Sequence, residues 1–99
     1  MTQSFHPPIC VCHLVLSLDR GGMENGVINV ANRIEAYGIR SVVICIRRRG
    51  EMFSRLRRGV SVECLGYESG FHLPGVLRLA RALRRYDGDV LHTHNRATL

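Results

Sequence analysis

The stretch ICVCHLVLSLDRGG, residues 9–22, opens with an apolar run from Ile9 to Leu18, broken only by His13 and Ser17, and ends in the turn Asp19-Arg20-Gly21-Gly22. A strand with one wet face would alternate polar and apolar residues. This run stays apolar at odd and even positions alike, which is the pattern of a strand covered on both faces. Beyond the turn, Met23, Val27, Val30, Ala31 and Ile34 recur at helical spacing, and Gly38 stands where a helix would stop. A buried strand feeding an amphipathic helix is the first half of a parallel crossover unit.

Working outward, the same unit repeats. Residues 41–46 form a second Val/Ile-rich strand, residues 51–58 a short polar helix closed by Gly59, and residues 60–65 a third strand. Residues 73–86 read as a helix with Pro74 near its start and Val76, Leu77, Ala80 and Leu83 facing inward. Gly88 ends it, and residues 89–93 make the fourth strand. Gly38, Gly59 and Gly88 each punctuate a return from helix to strand. The expected fold is α/β: a Rossmann-like three-layer α/β/α arrangement with a parallel sheet in the order 3-2-1-4. In that order the sheet reverses its direction of growth between strands 1 and 4, so a ligand crevice is expected at their carboxyl ends. The topology would bring Asp19-Arg20-Gly21-Gly22 and His92-Thr93-His94-Asn95 together there.

Composition narrows the setting. The 99 residues are 45% hydrophobic and 22% charged, which fits one small globular unit and excludes a disordered chain. No apolar run approaches the roughly 20 residues of a membrane-spanning helix. The first eight residues lack the basic start of a secretory signal, so a cytoplasmic location is expected. The net charge of +6 rests on 14 arginines and no lysine, densest at Arg47, Arg48, Arg49, Arg55, Arg57 and Arg58. A solvated basic face is the first expectation and a peripheral contact with an anionic membrane surface the second. Nucleic acid is not an expected partner, because Phe53 alone interleaves the cluster and no nucleic-acid-binding signature is present. Cys10, Cys12, Cys45 and Cys64 fall inside apolar runs and are read as reduced, buried thiols, with Cys10 and Cys12 on one strand face.

Two turns carry the chemistry. At Gly21-Gly22 the absence of side chains lets backbone N–H groups and the positive end of a helix approach an anion, and a phosphate or diphosphate is the fitting ligand. A tight turn that needs glycine for backbone reasons competes with that reading. The spacing from Gly21 to Gly26 mimics a nucleotide triphosphatase loop, but Val27 and Ile28 stand where Lys and Ser or Thr are required. The dinucleotide fingerprint also fails, and Arg47 and Arg48 end the second strand where an acidic residue would hold a ribose. In His92-Thr93-His94 the two imidazoles start on one face. His92 is expected to be a core histidine. His94, just past the strand, is the candidate to reach a sugar or phosphate opposite Gly22. A metal site is not expected, since neither His6, His13 nor His72 has a spacing that supplies a third ligand. Glu24 and Asn25 have a sufficient role in satisfying the first backbone donors of the helix.

Leu18-Asp19-Arg20-Gly21-Gly22-Met23-Glu24-Asn25-Gly26, then Asn29-Val30-Ala31-Asn32-Arg33, then Asp89-Val90-Leu91-His92-Thr93-His94-Asn95 together resemble retaining glycosyltransferases of the two-Rossmann-domain GT-B type, family 4, glycogen-synthase-like. The resemblance covers residues 9–99, and Glu24-Asn25-Gly26 is similar to bacterial members that build exopolysaccharide or lipopolysaccharide. It implies transfer of a sugar from a nucleotide-diphosphate sugar to the hydroxyl of a glycan or lipid-linked acceptor. By the same resemblance Gly21 and Gly22 approach the donor diphosphate and His94 lies beside the transferred sugar as the catalytic residue. Arg20, Asn95 and Arg96 are expected at the acceptor or behind these residues. No cofactor and no metal are implied. Family members carry a longer amino-terminal domain and a second, donor-binding domain. The 99 residues are therefore expected to be a partial acceptor-side domain, inactive alone, with the absent domain or self-association covering its apolar fourth strand. A noncatalytic α/β interaction module and an NADP-type oxidoreductase are the competing expectations.

Overall fold

The computed structural model describes residues 9–19, 21–66 and 73–94. The elements run β1 (Cys10–Ser17), α1 (Gly22–Ala36), β2 (Arg40–Arg48), a 3-10 turn (Glu51–Arg55), β3 (Ser61–Cys64), α2 (Leu73–Arg85) and β4 (Val90–Thr93). All pairings are parallel and the strand order is β3-β2-β1-β4, as the sequence pattern requires.

Alternation along β1 and β2 divides the core into two layers. Val15, Val43 and Cys45 pack with Val27, Ile28 and Ala31 of α1, together with Met52 and Val60. Cys10, Cys12, Leu14, Val42, Ile44 and Ile46 face the other way, onto Ala82 of α2, with Leu79, Leu83 and Tyr86 partly buried against them. Fully burying a Val, Leu or Ile side chain stabilises by about 1.5–3 kcal/mol, so these two central strands carry most of the apolar gain. Ser41 Oγ donates to the carbonyl of Ala31 at 3.0 Å. Asp89 closes the start of β4 onto β1 twice over: Cys10 N donates to its carboxylate at 2.8 Å, and its own N–H donates to the Cys10 carbonyl at 2.8 Å.

Several expectations are corrected. Residues 51–58 form only a 3-10 turn over Glu51–Arg55, because Gly50 enters it at φ 77° and Leu56 leaves it in extended conformation. In α2 the inward stripe is Gly75, Leu79, Ala82 and Leu83, continued by Tyr86 just past its end, so Ala82 rather than Ala80 meets the sheet and Val76 and Leu77 are exposed. In α1, Met23 and Val30 are exposed and Ile28 takes an inward place. The left-handed residue after α2 is Asp87, at φ 52°, not Gly88. Cys10, Cys12 and Cys45 are buried, with burial pushing the Cys12 and Cys45 thiols up to about 12. Cys64, on the edge strand β3, is exposed. No helix of the described residues is long and apolar enough to cross a membrane.

Gly50 is where glycine is indispensable. It has φ 77°, and a Cβ there would overlap the backbone of Leu18 and Asp19. Those close-lying chains are laced by hydrogen bonds: Leu18 N to the Arg49 carbonyl at 3.0 Å and Met52 N to the Leu18 carbonyl at 2.9 Å. Gly50→Ala is expected to lower the urea-unfolding free energy by at least about 1–2 kcal/mol, the cost of a left-handed backbone alone. An unchanged unfolding midpoint would show that the two chains do not meet there.

Candidate functional site

The carboxyl end of β1 and the segment leaving β2 are tied together before either reaches its loop. Ser17 Oγ donates to Asp19 Oδ2 at 2.7 Å, and Arg48 Nη2 donates to the same oxygen at 2.8 Å. The Arg48 guanidinium, then the Ser17 hydroxyl, hold the Asp19 carboxyl below its usual range. The lacing at Gly50 then sets the 3-10 turn beside the start of α1. On the helix side, Asn25 Oδ1 accepts from Arg55 Nη1. Asn32, two turns further along the same face, donates from Nδ2 to the Arg55 carbonyl at 3.0 Å and accepts from Arg57 N at 2.8 Å.

These ties border an open cavity of about 620 Å³ lined by Gly21, Gly22, Asn25, Glu51, Met52 and Arg55. Two of the sequence-predicted residues, Gly21 and Gly22, therefore line one cavity with an arginine. Neither glycine is demanded by the fold. Gly21 has φ 174°, extended backbone open to any residue, and a Cβ there would meet only the tip of the Glu24 side chain. A Cβ at Gly22 would meet nothing within 4 Å. The reading in which the turn needs glycine for its own backbone is thus removed. Among the described residues no side-chain hydrogen bond caps α1, while Glu24 stands in its first turn, where its charge suits the helix dipole. Asn25 holds Arg55.

His94 does not line this cavity. Its N–H donates to the Leu14 carbonyl at 3.3 Å, level with the middle of β1, and its Nε2 lies 3.0 Å from Nδ1 of His13. His92 and His94 have ring centroids 3.9 Å apart, and His13 lies 5.9 and 5.2 Å from them. His92 is exposed rather than a core residue, while His13, 1% exposed, holds the interior position. Among the described residues the two turns fall into two neighbourhoods: a glycine and arginine cavity on the β2 side of β1, and a histidine trio on its β4 side. Burial, then the nearby His94 and His92, hold His13 down to about 4. Burial, then His92, also lowers His94. Arg20, Asn95 and Arg96 lie outside the described residues.

The family described as Glycosyltransferase Family 4 matches residues 20–99. The chain belongs to glycosyltransferase family 4. No curated protein and no solved structure gave a significant match. In this family 4 chain the matched region takes in α1, the 3-10 turn and β4, and hence the glycine cavity together with His92 and His94, while His13 on β1 precedes it. Asn25, Asn32 and Arg55 were not expected as site residues. Their signal was two carboxamides seven residues apart on one helix face, which is too common a pattern to stand out.

The tie at Asp19 has a measurable consequence. A carboxyl held low in the folded state stabilises above its unfolded pKa, and that stabilisation is lost as pH falls through the lowered value. Following the Asp19 carboxyl carbon by NMR, Arg48→Ala is expected to move its titration to higher pH. An unmoved titration would mean that Arg48 does not hold the turn.

Proposed function

We propose that the Gly21-Gly22 cavity receives the diphosphate of a nucleotide-sugar donor, and that the chain serves retaining transfer of the sugar to a hydroxyl of a glycan or lipid-linked acceptor. The observation that carries this reading is a pair of glycines that the fold does not need, facing a cavity lined by Arg55 as well as Glu51, in a chain of glycosyltransferase family 4. Backbone can approach an anion closely only where side chains are missing, and the open start of α1 presents N–H groups and a partial positive charge.

The chemistry follows from where charge grows. As the bond between the anomeric carbon and the diphosphate oxygen breaks, negative charge develops on the leaving diphosphate. Amides and a guanidinium already aimed at it stabilise that charge without reorganising. Arg55, steadied by Asn25, is the cation placed for this, so the proposal needs no metal ion at the diphosphate. His94 enters the reading as the imidazole beside the sugar, and to reach a sugar it would exchange its contact with His13. The acceptor is proposed to belong to cell-surface polysaccharide or glycolipid synthesis, on the strength of Glu24-Asn25-Gly26.

The test uses inorganic pyrophosphate and uridine diphosphate, which probe the diphosphate contact directly. Each is expected to shift the amide resonances of Gly21, Gly22 and Met23. Gly22→Ala, whose added methyl meets no protein atom, should leave thermal stability nearly unchanged while weakening binding roughly tenfold, the effect of about 1.4 kcal/mol. Equal affinity in the variant, or tight binding of NADPH with no response to pyrophosphate, would remove the proposal.

A further inference from the structure

The histidine trio is independent of the diphosphate cavity and arises from backbone register. His13 and His92 are directly paired residues of the parallel strands β1 and β4, so their side chains leave the same face of the sheet. His94 lies two residues beyond His92 and returns to that face, its backbone pinned to β1 through Leu14. One ligand nitrogen from each ring can be chosen so that all three lie within 4.8 Å of one another. Three nitrogens on one tetrahedral ion, with bonds of about 2.0–2.1 Å, stand roughly 3.3 Å apart. The His13 to His94 separation of 3.0 Å is already close to that figure, and His92, exposed, is free of the packing that would stop its ring from turning inward.

Packing alone accounts poorly for His13. It sits between Val11 and Val15 on its strand face, is 1% exposed, and has Nε2 buried with no hydrogen-bond partner among the described residues. Leaving such a group unsatisfied costs about 1–3 kcal/mol, which a valine at this position would avoid. Its other nitrogen meets a second imidazole, and two neutral imidazoles facing each other share one proton at most. A metal ion in place of that proton uses both lone pairs.

We propose that His13, His92 and His94 form a three-imidazole site for a divalent first-row transition-metal ion of the zinc, nickel or copper kind. Imidazole suits these ions, and among the described residues no carboxylate joins the cluster to favour magnesium or calcium. Burial grades from His13 through His94 to the exposed His92, so the site runs from the interior to the surface. The ion clips β4 to β1. It also withdraws His94 from any sugar, so the ion and the sugar contact exclude each other, whether or not the diphosphate reading holds.

Cobalt(II) is the probe. Titrated into the whole chain, it is expected to bind with one equivalent, to develop the visible bands of four-coordinate cobalt, and to raise the melting temperature. His92→Gln and His94→Gln should each weaken binding roughly tenfold or more, at the scale on which disturbed metal sites lose affinity. His92 is exposed, so its variant tests the site without endangering the core. A combined His6→Gln and His72→Gln variant should bind as the parent does. Binding unaffected by His92→Gln and His94→Gln, or accompanied by the near-ultraviolet band of a cobalt thiolate, would place the ion elsewhere and overturn the proposal, as would no binding at all.

Discussion

The register of β1 against its two parallel neighbours is the constraint from which the rest follows. Because β1 pairs with β2 on one side and β4 on the other, its residues from Val11 to Leu14 have a defined partner level on both. Level by level, this puts Cys10 against the latch of Asp89 and His13 beside His92. At the carboxyl end it brings Leu18 and Asp19 up against Gly50. A slip of one residue would turn His13 onto the α2 face and bring Cys12 and Leu14 onto the α1 face, exchanging the two halves of the core. The buried sides of β1 and β2 make that slip costly. A chain with 14 arginines thus keeps a single register through its apolar centre.

Glycine plays two opposed parts in the fold, and space around each residue separates them. At Gly50 the conformation is left-handed and neighbouring backbone occupies the place of a Cβ, so packing explains the residue fully. At Gly21 and Gly22 the backbone accepts any residue, and the only neighbour within reach is the flexible end of Glu24. The first glycine brings the segment after β2 against β1 and so builds one wall of the cavity; the other two leave the opposite wall bare. Asn25 and Asn32 then hold the arginine-bearing turn at a set distance from that bare wall.

Much of the fold was legible because it follows from periodicity. Two both-face-apolar strands, a helical repeat after Gly22 and a turn residue at each return leave few topologies, and the order 3-2-1-4 is among them. The rotational phase of the helices was harder to read. In α2, Val76 and Leu77 are as apolar as Leu79 and Leu83, and only contact with Cys12 and Leu14 of the sheet selects the stripe that turns inward. The site was half legible. Gly21 and Gly22 announced themselves by composition, whereas Arg55 was hidden in a run of six clustered arginines that sequence cannot tell apart. The partnership of His13 with His92 and His94 spans about eighty positions and shows no spacing rule. It exists only because two parallel strands align those residues.

That origin in register bears on how the two neighbourhoods relate. β1 runs between them, its carboxyl end bordering the glycine cavity and its middle carrying His13. The pairing that would transmit any change at the trio is therefore the β1–β4 ladder, which is only four residues long and lies at the edge of the sheet. Val90 and Leu91 of β4 are exposed, so apolar burial secures this strand far less than β2. What holds β4 in place is polar: the Asp89 latch at one end and the His13–His94 contact near the other. An edge strand fastened by directional bonds at its ends, rather than by a packed face, is the part of this sheet most sensitive to the state of its histidines.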